Sequence, residues 1–231
     1  AAGLVKARSA AEFDSVNAGG TANLLTAAVE AVPDLRRFIY ISSLAAHGPS
    51  EDGSPRPTDA PPHPITAYGR SKLKGEEMVR AWSRGGRSVI IRPPVIYGPR
   101  DAALLPFFKL ARWRIAPLLA GGRNRLSVVY VEDAARAIAQ AATAEADLAG
   151  KTYFLDDGHV YSWRDILAAV EEAVGHRVLR LPSPRWAYGV AALLSEAYGF
   201  LRGRPVSLTR EKVLEMSQPH WVCSHEPLRR D

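Results

Sequence analysis

Between residues 17 and 32 the apolar positions Leu24, Leu25, Ala28, Val29 and Val32 recur at helical spacing, and Pro33-Asp34 ends the pattern. Residues 37–41 (RFIYI) are β-branched and aromatic and predict a strand, followed at once by the small or polar Ser42, Ser43, Ala45, Ala46 and Gly48. Small residues at a strand end mark a place where another group approaches the backbone. Residues 49–66 hold six prolines together with Glu51, Asp52 and Asp59, a loop too long to be a simple connection. A second helix is predicted over 67–84, closed by Gly85-Gly86, and 88–92 (SVIIR) reads as a short apolar strand before Pro93-Pro94. Helix, strand, loop, helix, strand is the order of a parallel sheet covered by helices. Beyond Gly98 the pattern becomes mixed. Helices are predicted near 103–113, from Glu132-Asp133 onward, and near 163–174, 186–201 and 208–216; strands fall near 126–131, 152–155 and 177–181.

The chain has 231 residues, 47% of them hydrophobic and 23% charged, a globular composition that excludes disorder and collagen-like structure. The length fits one large domain or a domain with a smaller lobe. A formal charge of +6 admits an acidic ligand, but basic residues are spread from Lys6 to Arg230 with no block interleaved with aromatics. Nucleic-acid binding is therefore not expected. Cys223 is the single cysteine, so no intrachain disulfide forms and a cytoplasmic location is expected. The longest apolar stretch, 186–201, contains Ser195 and Glu196 and falls short of the roughly 20 residues of a membrane span. It reads as a buried or amphipathic helix, which leaves room for peripheral membrane contact. No secretory signal pattern opens the chain.

Tyr68 and Lys72 lie four residues apart at the start of the second helix, on one face and one turn apart. A free phenol is a poor base at neutral pH, and an adjacent ammonium lowers its pKa by favouring the phenolate. Ser43 ends the preceding strand, at the carboxyl edge where parallel sheets present ligand-binding groups. A Ser at a strand end, a long loop, Tyr and Lys four apart, and a strand running into Arg-Pro-Pro-Val-Ile-Tyr-Gly-Pro form a far more specific combination than any one piece.

On these residues, with Gly3, Val16-Asn17, Gly20-Thr21 and Val131-Glu132-Asp133, the chain resembles the extended short-chain dehydrogenase/reductases, the NAD-dependent epimerase/dehydratase family. The resemblance implies an α/β, Rossmann-like doubly wound parallel sheet with a smaller mixed substrate lobe, divided as 1–98 and 99–231 with about 126–160 returning to the sheet. It implies an NAD or NADP cofactor, a small-molecule substrate and a homodimer formed through the Tyr68 helix and its neighbour. Tyr68 is then the general acid/base, Lys72 its pKa-lowering and ribose-holding partner, and Ser43 the group that positions the reacting oxygen. Ala1, Ala2, Gly3, Asn17, Ser42, Pro94 and Val95, with Tyr68 and Lys72, would lie along the cofactor. His47, Tyr97 and Arg125 are the expected substrate contacts.

The chain departs from the family in one large respect: no G-x-G-x-x-G or G-x-x-G-x-x-G turn opens a helix, so the pyrophosphate-binding loop is missing from these residues. The 231 residues are therefore expected to be an internal portion of a longer chain. Val95 stands where sugar-nucleotide enzymes of the family usually carry Asn. Arg92-Pro93-Pro94-Val95-Ile96-Tyr97-Gly98 and Pro205-Val206-Ser207-Leu208-Thr209 are closer to the 3β-hydroxysteroid dehydrogenase-like and dihydroflavonol reductase-like branches. The expected reaction is hydride transfer between nicotinamide and a secondary alcohol or ketone on a less polar, sterol- or flavonol-like molecule. The alternatives are a nucleotide-sugar epimerase or dehydratase, for which Arg123 and Arg125 could grip a diphosphate, and a non-catalytic dinucleotide-bound scaffold. His220, Cys223 and His225 offer metal-ligand types without a fourth partner, so no metal is expected. Asp133 is read as opening its helix, and no Gly-x-Ser-x-Gly elbow points to a hydrolase.

Overall fold

The computed structural model describes residues 3–32, 34–82, 87–101, 104–118 and 122–231. A short helix α1 (Ala10–Phe13) runs through a π-helical stretch (Asp14–Gly19) into α2 (Gly20–Ala31), then β1 (Phe38–Ile41), a single turn α3 (Leu44–His47) and the long helix α4 (Ala67–Trp82). Strands β2 (Ser88–Arg92) and β3 (Val95–Tyr97) follow, then α5 (Leu105–Arg112), β4 (Ile115–Leu118), β5 (Arg125–Leu126), β6 (Val128–Tyr130) and α6 (Val131–Thr143). The remainder comprises β7 (Thr152–Phe154), β8 (Tyr161–Ser162), α7 (Trp163–Val174), β9 (Leu179–Pro182), α8 (Arg185–Arg202), α9 (Arg210–Met216), β10 (His220–Trp221) and α10 (Glu226–Arg230).

The central sheet has the order β1-β2-β7, all parallel, with Tyr40 opposite Ile90 and Ile91 opposite Tyr153. Alternation along its strands decides which layer each side chain meets. Val89, Ile91 and Ile39 pack with Ala134, Ile138 and Ala141 of α6, whereas Phe38, Tyr40 and Ile90 pack with Leu25 of α2 and Val79 and Trp82 of α4. Apolar partners on both faces explain why 89–91 is an unbroken apolar run rather than an alternating one. A second core, formed by Ala111, Ala116, Leu167, Val170 and Val178, joins α5, β4 and α7 into a lobe. Helix α7 is opened by a capping box between Ser162 and Asp165 and closed by Gly175 in the left-handed conformation.

Several elements escaped the sequence pattern. β3, β4, β8, β10 and α3 are each five residues or fewer, too short to show a period. The predicted strand near 126–131 is divided into β5 and β6 at Ser127, whose Oγ accepts from the Cys223 N–H at 3.1 Å. The Gly85-Gly86 stop of α4 lies outside the described residues.

One ion pair ties these layers together. The Glu76 carboxylate on α4 and the Arg92 guanidinium at the end of β2 are 0% and 2% exposed. They meet in a two-pronged contact, Nε to Oε1 at 2.9 Å and Nη2 to Oε2 at 2.7 Å. Removing either partner leaves a buried charge uncompensated, which typically costs about 3–5 kcal/mol. Arg92→Met and Glu76→Gln are each expected to lower unfolding free energy by about that amount in urea denaturation; a loss under about 1 kcal/mol for both would mean that water reaches the pair.

Candidate active site

Helix α4 starts where Thr66 accepts the Gly69 N–H at 3.1 Å, and the Glu211 carboxylate of α9 takes the Ala67 N–H at 2.9 Å. Its face toward the sheet is stripped bare at two glycines. A Cβ at Gly69 would run into the Ala45 carbonyl oxygen, and one at Gly75 into the Tyr40 hydroxyl. Only glycine lets the helix approach α3 and β1 this closely. That approach brings three of the predicted residues to one sheet edge. The Ser43 hydroxyl caps α3 by accepting from the Ala45 N–H at 3.2 Å, and it lies close enough to the Tyr68 phenol to favour its ionised form. The Lys72 Nζ donates to the Ile41 carbonyl at 2.6 Å and lies 4.6 Å from the centre of the Tyr40 ring.

The electrostatics differ from what spacing alone predicts. Burial pushes the Tyr68 phenol above its usual value, the nearby Ser43 hydroxyl works the other way, and the Glu215 carboxylate adds to the rise. Lys72 is not among the groups that shift the phenol, and its ammonium donates to the Ile41 carbonyl. Burial also brings Lys72 down to about 8, against the pull of Glu76. At neutral pH this arrangement holds a protonated phenol beside a charged ammonium.

The other predicted residues divide. Asn17 is buried and clamps the N-terminal segment: its Oδ1 accepts from the Leu4 N–H at 2.8 Å, and its Nδ2 donates to the Leu4 carbonyl at 3.0 Å and to Ser71 Oγ at 2.9 Å. Gly3 adjoins it, since a Cβ there would stand 3.2 Å from Asn17 Oδ1. Ala1 and Ala2 lie outside the described residues. Pro94 and Val95 follow Pro93, whose carbonyl accepts the Leu44 N–H at 2.8 Å, so this strand end adjoins Ser43. Ser42, expected along the cofactor, instead turns inward and donates to Glu76 Oε1 at 2.5 Å.

His47, expected to touch substrate, is also drawn into the core. Its Nδ1 meets Arg92 Nη1 at 3.0 Å and its ring packs edge-on to Phe154 at 5.1 Å. Tyr97 is exposed on β3 with its ring 5.6 Å from Tyr130, and Arg125 is exposed on β5, whose neighbouring strand carries His220. Of the metal-ligand types near the end of the chain, Cys223 is buried and His225 Nδ1 pairs with Asp156 at 2.5 Å. Asp133 sits in the first turn of α6 and pairs with Arg136 at 3.2 Å. Cavities of about 360 and 340 Å³ lie beside Arg80 and beside Arg230, and neither is lined by Ser43, Tyr68 or Lys72.

Glu76, Arg92, Gly69 and Gly75 were not singled out from sequence. The available signal was Glu76 four residues beyond Lys72, on the same helical face, with an arginine closing an otherwise apolar strand.

A parallel sheet covered by helices on both faces, with ligand-binding groups expected at its carboxyl edge, is the general architecture of nucleotide-binding α/β proteins. The chain belongs to the NAD dependent epimerase/dehydratase family, whose model matches residues 1–155. It is 33% identical over 231 residues to a ceramide reductase of Caulobacter vibrioides, covering 98% of this chain and 65% of that protein. It is 33% identical over 172 residues to a 2-alkyl-3-oxoalkanoate reductase of Stenotrophomonas maltophilia, covering 71% of this chain and 52% of that one. Among solved structures, UDP-glucuronic acid 4-epimerase from Bacillus cereus, in complex with UDP-glucuronic acid and NAD, superposes with a TM-score of 0.65 at 24% identity. That match covers 74% of this chain and 56% of the epimerase. The chain thus spans between about half and two thirds of the length of these proteins.

His47 supplies a pH test of this architecture. Burial, then the charges of Arg92 and Arg56, bring its imidazole down to about 3, so the folded protein holds it neutral where the unfolded chain protonates it. Its contribution to stability is complete above pH 6.5 and is lost as pH falls toward 3, by at most about 1.4 kcal/mol per pH unit. Urea midpoints measured between pH 6.5 and 4.5 are expected to fall, and His47→Gln to flatten that slope; an unchanged slope in the variant would assign it elsewhere.

Proposed function

We propose that the protein of which this chain is part reduces a ketone on an alkyl-bearing, lipid-like substrate, using NAD(P)H. The observation that carries the reading is Ser43 at the end of β1, close to the Tyr68 phenol, with Lys72 one helical turn away and bonded to the Ile41 carbonyl of the same strand. A substrate carbonyl oxygen lying between Ser43 and Tyr68 would accept a hydrogen bond from each, and the Tyr68 phenol, kept protonated by burial, would hand it a proton. Lys72 orients rather than reacts: its ammonium makes one hydrogen bond among the described residues, to Ile41, and has further N–H donors for ribose hydroxyls. Pro94 and Val95 offer backbone and apolar surface at the strand end beside Ser43, and Gly3 leaves open backbone beside Asn17. These features fit the nicotinamide-ribose end of a dinucleotide. When bound, the nicotinamide supplies the hydride.

The substrate class is supported from two sides. Val95 and Ile96 present exposed apolar side chains beside the strand end, and apolar surface there favours alkyl groups over sugar hydroxyls. Two of the relatives are named reductases of a ceramide and of 2-alkyl-3-oxoalkanoates, both alkyl-chain compounds. The test is nicotinamide oxidation by the purified protein with a panel of 3-oxoalkanoates, keto-sphingolipids, sterol ketones and nucleotide sugars. Tyr68→Phe is expected to cut kcat by about 10²-fold or more while cofactor binding persists. Turnover confined to nucleotide sugars would overturn the substrate class; full turnover in Tyr68→Phe would overturn the mechanism.

A further inference from the structure

Helix α8 carries its most apolar side outward. Trp186, Val190, Leu193, Leu194, Phe200 and Leu201 fall within one stripe of its helical wheel and are all exposed, Trp186 by 72%, Phe200 by 88% and Leu201 by 81%. The stripe extends along an 18-residue helix, about 27 Å at 1.5 Å per residue. The inward side holds the small Ala192 and Gly199, the latter against Val206, and the helix's single acid. That acid, Glu196, is consumed by Arg210, taking its backbone N–H at 2.8 Å and its Nε at 2.9 Å. An amphipathic surface helix normally has the reverse arrangement.

The charges around the stripe decide what it fits. Arg202 at its rim lies over the Tyr198 ring, 5.5 Å from the centroid, and Arg204 is exposed in the turn that follows. The acids of the adjoining α9 are engaged, Glu211 with Arg70 at 3.0 Å and Glu215 with Lys212 at 2.7 Å. The exposed side of α8 therefore combines aliphatic and aromatic groups with cations and presents no carboxylate. A second copy docking on this stripe would bring the same cations and no anion to meet them. An anionic bilayer surface supplies both complements: acyl chains for the stripe, headgroup phosphates for the arginines, and an interface suited to Trp186 and Tyr198.

We infer that α8 is a membrane-docking helix that lies in the headgroup plane of an anionic lipid surface. The described residues contain no helix long and apolar enough to cross a membrane, so contact would be peripheral. The placement goes beyond the reductase reading and stands independently of it. It also has a consequence for the site, because Glu211 of α9 binds the Ala67 N–H at the start of the Tyr68 helix. Docking α8 would hold the start of the Tyr68 helix close to the lipid phase.

The test is flotation of the purified protein with phosphatidylcholine vesicles, with and without phosphatidylglycerol, in the absence of cofactor and substrate. Co-flotation with phosphatidylglycerol vesicles, weakened by raising salt from about 0.1 to about 0.5 M, is the expected result. Two double variants, Leu194→Gln with Leu201→Gln and Arg202→Glu with Arg204→Glu, should each reduce the bound fraction about tenfold or more without moving the thermal midpoint. Failure to float, or flotation that neither variant weakens, overturns the inference. So does a dimer by light scattering that Leu194→Gln with Leu201→Gln dissociates while vesicles stay unbound, since the stripe would then belong to a second copy. Because flotation needs no turnover, failure of the reductase assay leaves this result readable, and the reverse holds too.

Discussion

The buried Glu76–Arg92 pair constrains almost every part of the fold that matters to the site. Two charges removed from water are tolerable only when their remaining hydrogen-bonding positions are filled. Arg92 spends Nε and Nη2 on Glu76, and Nη1 on His47 and on the Thr58 carbonyl at 3.1 Å. Glu76 takes the Ser42 hydroxyl and Arg80 besides. Burial alone would raise the Glu76 carboxyl, but Arg92, Ser42 and Arg80 together hold it below its ordinary range. These partners sit on α4, on the ends of β1 and β2, on α3 and in the proline-rich loop. Fixing the rotation of α4 about its axis through Glu76 also fixes Lys72 and Tyr68, one and two turns earlier on nearly the same face. Fixing Ser42 directs the next residue, Ser43, to the other side of the extended chain.

The same exclusion of water sets the chemistry. Burial raises Tyr68 and lowers Lys72, so the two groups are drawn toward neutrality together. Spacing along a helix suggests a phenolate stabilised by a neighbouring cation. In the folded chain the ammonium instead answers a backbone carbonyl at the sheet edge, and the phenol keeps its proton.

Much of this was legible because each signal was local. Residues 88–92 and 163–174 coincide with β2 and α7, since an apolar run between breakers and a capped amphipathic pattern declare themselves within one element. Ser43, Tyr68 and Lys72 carried their meaning in spacing and strand-end position, and the fold brings them to one edge. Side-chain direction was not legible. Ser42 and Ser43 are identical in type and adjacent, and only the position of Glu76, thirty-four residues from Ser42, decides which faces inward. His47 was placed in the substrate pocket by proximity in sequence, yet a buried arginine from another strand claims its ring. The need for Gly69 and Gly75 likewise depends on atoms of α3 and β1 that no window around α4 contains.

Helix α9 meets the sheet's covering layer at the first turn of α4. A helix N-terminus leaves N–H groups without intrahelical partners, and here Thr66 supplies one acceptor while Glu211 of α9 supplies another across the molecule. Glu211 also pairs with Arg70, two residues beyond Tyr68, and Glu215 of the same short helix acts electrostatically on the phenol. Among the described residues the α8–α9 pair has its opposite, apolar side open to solvent, so whatever covers that side bears on the phenol through a single helix. Helix α9 thus links the exposed apolar side of α8 to the turn that carries Tyr68.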